Sequence, residues 1–402
     1  MIRFALLLLM SLVVSSQAVA AVKWNNSGGS PSGRASPENY WKQAEKAKSC
    51  NGPEFEYIED AVLLDEISVP PSFYEGIDRP LGKKASKKCK FNFATELVPE
   101  PLIDAKISSE YGGYDHKRFE KYYDFLNTNI GLNRLEPNSK AADRLQIFLI
   151  TWANSNALSK NIKFKLMKEF RLDFHIQQMI PPLIIAYADV SQSMNASDRT
   201  KVGEWINRLV EQSQNSFFSS RQDNKAYLRH LIALLWGIVI ENEKLISQAR
   251  TGYQNAILDM RPDGTFPKEV SRGGTGIKYQ NRAVNVLTTM AGFSTLIGEN
   301  WIEYEVDGRS IKNAVNWINE ASHNPLMNKI YARECKGGSD RTIDKPIMNY
   351  LEILRTGSTD LAWVDLYFGL TGEKPEYISK HIRNYKGYWS LGYGPQACII
   401  LD

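Results

Sequence analysis

Two stretches of the sequence bring together side chains that can neutralise a carboxylate and move a proton. The first is Asp223-Asn224-Lys225-Ala226-Tyr227-Leu228; the second is Arg272-Gly273-Gly274-Thr275-Gly276-Ile277-Lys278-Tyr279-Gln280-Asn281. Between them runs Arg261-Pro262-Asp263-Gly264-Thr265-Phe266-Pro267-Lys268-Glu269. An amide, an ammonium, a guanidinium and a phenol suit β-elimination from a uronate sugar, in which the C5 proton is removed and the C4 oxygen leaves. That reaction needs a neutralised carboxylate, a base at C5 and an acid for the departing oxygen. Tyr279 can supply base and acid in turn if it is deprotonated when substrate binds, and a nearby guanidinium favours the phenolate. Asn224 can hydrogen-bond the carboxylate, and its place near a helix start adds a favourable dipole.

Plainer readings of the same residues stay open at this stage. Tyr279 and Tyr227 can be core aromatics among nineteen tyrosines, Arg272 a surface residue, and Asn224 a helix cap. The Gly273-to-Gly276 run lacks the Lys-Ser/Thr and the preceding strand of a phosphate-binding loop. Asp263 and Glu269 could form the carboxyl pair of an inverting glycosidase only if they faced one another across a cleft. Asp263-Gly264 reads more simply as a turn, and Glu269 as a structural partner of a nearby Arg or Lys.

In order and spacing these stretches resemble the alginate lyases that fold as α/α toroids. Asp223 to Leu228 is similar to that family's Asn-Asn-His-Ser-Tyr-Trp motif, and Arg261 to Glu269 to its Asp-Gly-Phe-Leu-Pro-Asn-Glu stretch. Arg272 to Asn281 keeps the family's Arg, six intervening residues, Tyr, and an Asn two further on. Upstream, Trp152-Ala153-Asn154-Ser155-Asn156-Ala157-Leu158 resembles Trp-Ala-Ser-Ala-Asp-Ala-Leu, and Tyr111-Gly112-Gly113-Tyr114-Asp115 resembles Tyr-Glu-Gly-Ser-Asp. The matches span roughly residues 108–300 and fade around Leu361-Ala362-Trp363-Val364-Asp365-Leu366-Tyr367.

The resemblance implies a lyase that cleaves alginate, poly-mannuronate or a related uronan without a metal or cofactor. It implies catalytic roles for Tyr279, Arg272, Asn224 and Lys225, with Arg272 in contact with Tyr279. Substrate contacts would come from Tyr111, Trp152, Asn154, Asn156, Tyr227, His230 and Asn281. Lys225 stands where the motif has His, which in the family helps neutralise the carboxylate and in some members takes the C5 proton. A lysine can neutralise as a point charge; it can act as a base only if its pKa falls far below about 10.4. Lys225 is thus a neutraliser beside a Tyr279 that makes both proton transfers, a sign of a different uronate or stereochemistry, or the mark of an inactive glycan-binding site. His230, three residues after Tyr227 and near the same helix face, is a candidate stand-in; an ordinary core or surface histidine is the simpler reading. The alternative function is a non-catalytic glycan-binding protein of an exopolysaccharide synthesis or export system.

The elements that must hold these residues are helical. Val202, Trp205, Ile206, Leu209 and Val210 form one stripe of a 3.6-residue repeat. Stretches 145–158, 227–240, 245–258, 283–297, 311–321 and 361–370 also read as helices. Leu228, Leu231, Ile232, Leu234, Leu235, Ile238 and Val239 make one of them apolar nearly all round, between neighbours that carry only a stripe. That contrast predicts an inner layer covered by an outer one. The expected fold is mainly α, an incomplete α/α toroid of helical hairpins, with a compact bundle as the alternative.

The opening of the chain bounds the setting. Met1-Ile2-Arg3, an apolar run from Phe4 to Val14 and Ala18-Val19-Ala20 read as a signal peptide over residues 1–21, too short for a membrane span of roughly twenty apolar residues. Periplasmic or secreted localisation follows. Residues 22–107 read as an irregular lead-in with one short helix near 38–48, and 108–402 as the toroid domain. With 49 basic and 45 acidic residues and no Lys/Arg block, nucleic acid is excluded as a partner; an anionic polysaccharide fits a local basic groove. Four cysteines in an exported chain favour disulfides. Of three connectivities, Cys50–Cys89 with Cys335–Cys398 closes a loop within each end of the chain.

Overall fold

The structure, a computed structural model, describes residues 98–101, 116–135, 140–159, 167–215, 223–272, 275–328, 331, 361 and 363–381. The signal peptide, the short helix near 38–48, Tyr111 and all four cysteines lie outside the described residues. Helices α1 His116–Leu135, α2 Ala141–Asn154, α3 Met167–Val190, α4 Ala196–Gln214, α5 Asn224–Val239 and α6 Glu243–Asp259 follow one another. After a helical turn at Pro267–Val270 come α7 Gly276–Ser294, a hairpin of β1 Glu305–Val306 and β2 Arg309–Ser310, α8 Ile311–His323, α9 Trp363–Thr371 and α10 Glu376–His381.

The helices alternate between two layers. α1 packs on α3, α3 on α5, α5 on α7 and α7 on α9, while α2, α4, α6 and α8 fill the outer positions between them. The result is an incomplete α/α toroid, as the contrast between apolar and striped helices predicts. Every residue of α5 is buried apart from the largely buried His230. Outer α6 buries the stripe Leu245, Ile246, Ala249, Gly252, Tyr253, Ala256 and Ile257, with Asp259 at its end. Asparagine side chains start two of the outer helices: Asn195 accepts from Asp198 N at 2.9 Å on α4, and Asn242 from Leu245 N at 3.1 Å on α6. Such caps satisfy N–H groups that have no partner within the helix. Among the described residues, no helix is long and apolar enough to cross a membrane.

Several boundaries differ from the sequence reading. The helix expected over 145–158 ends at Asn154, where Asn156 turns left-handed at φ 48°. Asn156 N donates to Ala153 O and Ala157 N to Trp152 O, both at 3.0 Å, a Schellman closure that uses Asn156 as the positive-φ residue. Helices α1 and α3 do not appear among the predicted stretches. In α3 the reason is Pro181-Pro182, which would break an exposed helix at a cost of about 3 kcal/mol. Here Ile176, Met179, Ile180, Leu183, Ile184 and Ile185 around them are buried, and packing outweighs the lost backbone hydrogen bonds. At the edge of the N-terminal segment, Pro99 O accepts from Trp152 Nε1 at 3.1 Å.

Candidate active site

The beginnings of inner helices α5 and α7 meet. Asp223 is the N-cap of α5, its Oδ1 accepting from Lys225 N at 3.1 Å and Ala226 N at 3.4 Å. Asn224 and Lys225 occupy the first turn of α5, and Tyr279 the first turn of α7. Arg272 follows the Pro267–Val270 turn, so Arg272 and Tyr279 do not share one helix, as the glycines between them indicate.

Two carboxylates tie these residues together. Glu269, 0 % exposed, uses Oε1 to accept from Asn224 N at 2.6 Å and from Asn224 Nδ2 at 2.8 Å. Its Oε2 lies 3.3 Å from Arg272 Nε. Asp223 Oδ2 is shared, 3.3 Å from Lys225 Nζ and 3.5 Å from an Arg272 terminal nitrogen. Arg272 Nε also donates to Lys268 O at 3.1 Å, and its guanidinium carbon sits 4.2 Å from the centre of the Tyr279 ring. Lys225, 8 % exposed, has its ammonium 5.9 Å from the centre of the Phe174 ring on α3. Burial pushes the Glu269 carboxyl above its ordinary value, against the opposing pull of Arg272.

The structure therefore gathers all four residues predicted to be catalytic: Arg272 lies against Tyr279, and the carboxylates Glu269 and Asp223 bridge it to Asn224 and Lys225. It also shows what the sequence left unstated. The first three N–H groups of α5 are occupied by Asp223 and Glu269, so this helix start is capped by the protein's own carboxylates. Because Asn224 Nδ2 donates to Glu269, the orientation of the amide is fixed from behind. Asp223 escaped notice as a functional residue, although its place directly before a predicted helix start is the signal for a cap. Arg282 also stands by this ring: its guanidinium carbon is 5.5 Å from the Tyr279 ring centre, three residues on and so on the same side of the helix.

Most of the residues expected to contact substrate occupy other places. Trp152 is 0 % exposed, its ring 4.4 Å from Phe148 and 4.7 Å from Tyr122 between centres; the indole is a core residue with no open face. Tyr227 is buried against Phe266. His230 packs over Gly252 of α6, with no hydrogen-bond partner at Nδ1; burial, then the charge of Arg229, holds the imidazole well below its ordinary pKa and so neutral. Asn281 is buried and accepts from Trp363 Nε1 at 2.7 Å, tying α7 to α9. Asn154 and Asn156 are exposed, and Asn156 Oδ1 accepts from Arg208 at 3.4 Å. Asp263 is an exposed turn residue whose carboxylate accepts from Thr265 N and Oγ1 and from Tyr331, while Glu269 is enclosed; they are not a pair of carboxyls facing across a cleft.

Residues 132–326, which contain every member of the cluster, match the alginate lyase family model. A polysaccharide lyase of Stenotrophomonas maltophilia (strain K279a) is 25% identical over 181 residues, 44% of this chain and 53% of that protein; the match thus spans about half the length of the curated relative. Among solved structures, alginate lyase A1-III from Sphingomonas species A1 superposes with a TM-score of 0.60 at 20% identity, covering 83% of this chain and 93% of that one. A variant of alginate lyase A1-III complexed with a tetrasaccharide gives a TM-score of 0.59 at 19% identity, with the same coverage. The chain has a mainly helical, alginate-lyase-like fold.

Proposed function

We propose that this protein is a polysaccharide lyase that cleaves a uronate polymer, poly-mannuronate or another β-linked uronan, by β-elimination. The observation that carries the reading is the Arg272 guanidinium 4.2 Å from the Tyr279 ring, joined to Asn224 through Glu269 and to Lys225 through Asp223. A carboxylate bound beside Arg272, Lys225 and Asn224 loses much of its charge to them, which lowers the cost of the carbanion-like state at C5. Tyr279 takes the C5 proton and returns it to the C4 oxygen. The C5–H and C4–O bonds break, a C4=C5 double bond forms, and no redox partner is needed. Lys225 acts in this scheme as a fixed charge. The apolar run from Phe4 to Val14 followed by Ala18-Val19-Ala20 supports a periplasmic or secreted setting for that activity.

Incubation of the purified protein with alginate, poly-mannuronate, poly-guluronate and glucuronan tests the reading. Ultraviolet absorbance from unsaturated uronate ends on at least one polymer is expected. Reducing ends without that absorbance would indicate hydrolysis, and binding with neither product a glycan-binding protein.

A further inference from the structure

We infer that Asp223 is a positioning residue for the proposed elimination, holding the Lys225 ammonium and the Arg272 guanidinium where a uronate carboxylate would meet them. The inference rests on the lyase reading above. Asp223 is buried, with extended backbone directly ahead of α5. Its Oδ1 accepts from the backbone N–H groups of Lys225 and Ala226, which belong to the helix and do not swing. Those two bonds fix the plane of the carboxylate and so the direction of Oδ2. Lys225 Nζ lies 3.3 Å and an Arg272 terminal nitrogen 3.5 Å from that one oxygen. The residue that starts α5 is therefore also the point on which two cations from separate segments converge.

A lysine ammonium is a point charge on a flexible stem. It neutralises a bound carboxylate well only where it is held, since a displacement of about 1 Å can cost ~10²-fold in rate. Two cations brought together also repel, and burial opposes the charged form of an ammonium; a shared anion offsets both effects. The Lys225 and Asp223 side chains are 10% and 4% exposed, so salt screens their attraction far less than it would at the surface. Glu269 ties Asn224 to the same guanidinium. Each of the three groups assigned to the uronate carboxylate is thus tied to a buried carboxyl, and Arg272 to both. Asp223 makes no proton transfer in this scheme, and its own negative charge opposes an incoming carboxylate. Its removal should therefore slow turnover without weakening substrate binding.

Asp223→Asn tests the assignment. Asparagine caps a helix as well as aspartate does, yet it turns an uncharged NH2 donor toward the two cations. On whichever uronan the wild type cleaves, the variant's kcat should fall about ten- to a hundredfold while KM stays level or drops. In a Lys225→Met background the same change should lower kcat less than about threefold, since its effect runs largely through that ammonium. Wild-type kcat in Asp223→Asn would leave the residue a helix cap only, and a lower unfolding midpoint with kcat intact would leave the ion pair structural; either overturns the inference. A rise in KM at constant kcat, or full additivity with Lys225→Met, overturns it as well. Should Asp223→Asn not fold, Asp223→Ser caps without charge and serves in its place. A wild type that forms no unsaturated ends on any uronan refutes the lyase reading and this inference with it. An active wild type matched by Asp223→Asn refutes this inference alone.

Discussion

Glu269 Oε1 accepts two hydrogen bonds from Asn224, one from the backbone N–H and one from the side-chain amide, across 45 residues of sequence. The same carboxyl faces Arg272 through its other oxygen. One buried side chain thus sets both the entry into α5 and the position of the guanidinium beside Tyr279.

Removing that carboxyl should destabilise the protein. Glu269→Ala leaves Asn224 without its acceptor and Arg272 without one of its partners, and is expected to cost about 3–5 kcal/mol, measurable by urea unfolding. A loss below about 1 kcal/mol would show that the contact is dispensable.

The pH dependence of Glu269 is a separate prediction. Burial raises its carboxyl above 4.5, so the folded state holds this proton more tightly than the unfolded chain. Stability from this group is complete below pH 4.5 and falls as pH rises toward the raised value. Glu269→Gln cannot titrate, so its stability deficit relative to wild type should shrink as pH climbs above 4.5. Parallel stability curves for the two proteins would count against the shift.

Tyr279→Phe keeps the ring that lies beside Arg272 and removes only the hydroxyl. Turnover on the cleaved uronan should drop by about 10²-fold or more, with the unfolding midpoint nearly unchanged. A Phe variant that retained most of its activity would remove Tyr279 from the chemistry.

Lys225 separates neutraliser from base. Lys225→Arg preserves a fixed charge and should keep part of the activity, while Lys225→Met should lose most of it, with the ion pair to Asp223 removed. Arginine is effectively never deprotonated, so a lysine base predicts that both variants are equally inactive. Wild-type rates in Lys225→Met would reject both roles.

His230 and Gly252 form a packing pair that double mutation can isolate. A Cβ at position 252 would overlap the His230 ring, so Gly252→Ala should cost about 1–3 kcal/mol. In a His230→Ala background the same change should be neutral or favourable, because alanine is the better helix former. His230 itself is held neutral by burial, so its contribution is present above pH 6.5 and is lost as pH falls below that value. The His230→Ala variant should show a flatter acid limb.

The sequence by itself determined the helical class and much of the layering. The run from Leu228 to Val239 announces a helix buried on all sides, and 245–258 announces one buried on a single face, because burial is written directly into residue periodicity. The Arg272-to-Tyr279 spacing and the Asp223-Asn224-Lys225 triplet marked the residues proposed to react, because they resemble alginate lyase motifs and their side-chain types suit the proposed chemistry. Local pattern failed where packing overrides it, as at Pro181-Pro182 inside α3 and at Asn156, whose left-handed turn ends α2 before the apolar run is finished. It could not decide which candidates face a ligand. Trp152 and Asn281 lie within matched stretches, yet they are consumed by the contacts to Phe148 and Trp363. Glu269 reaching Asn224, Asp223 reaching Arg272 and Arg282 standing beside Tyr279 depend on where the ends of α5 and α7 come together. That meeting is fixed by the packing of α5 against α7 along their lengths, which no short window of sequence encodes.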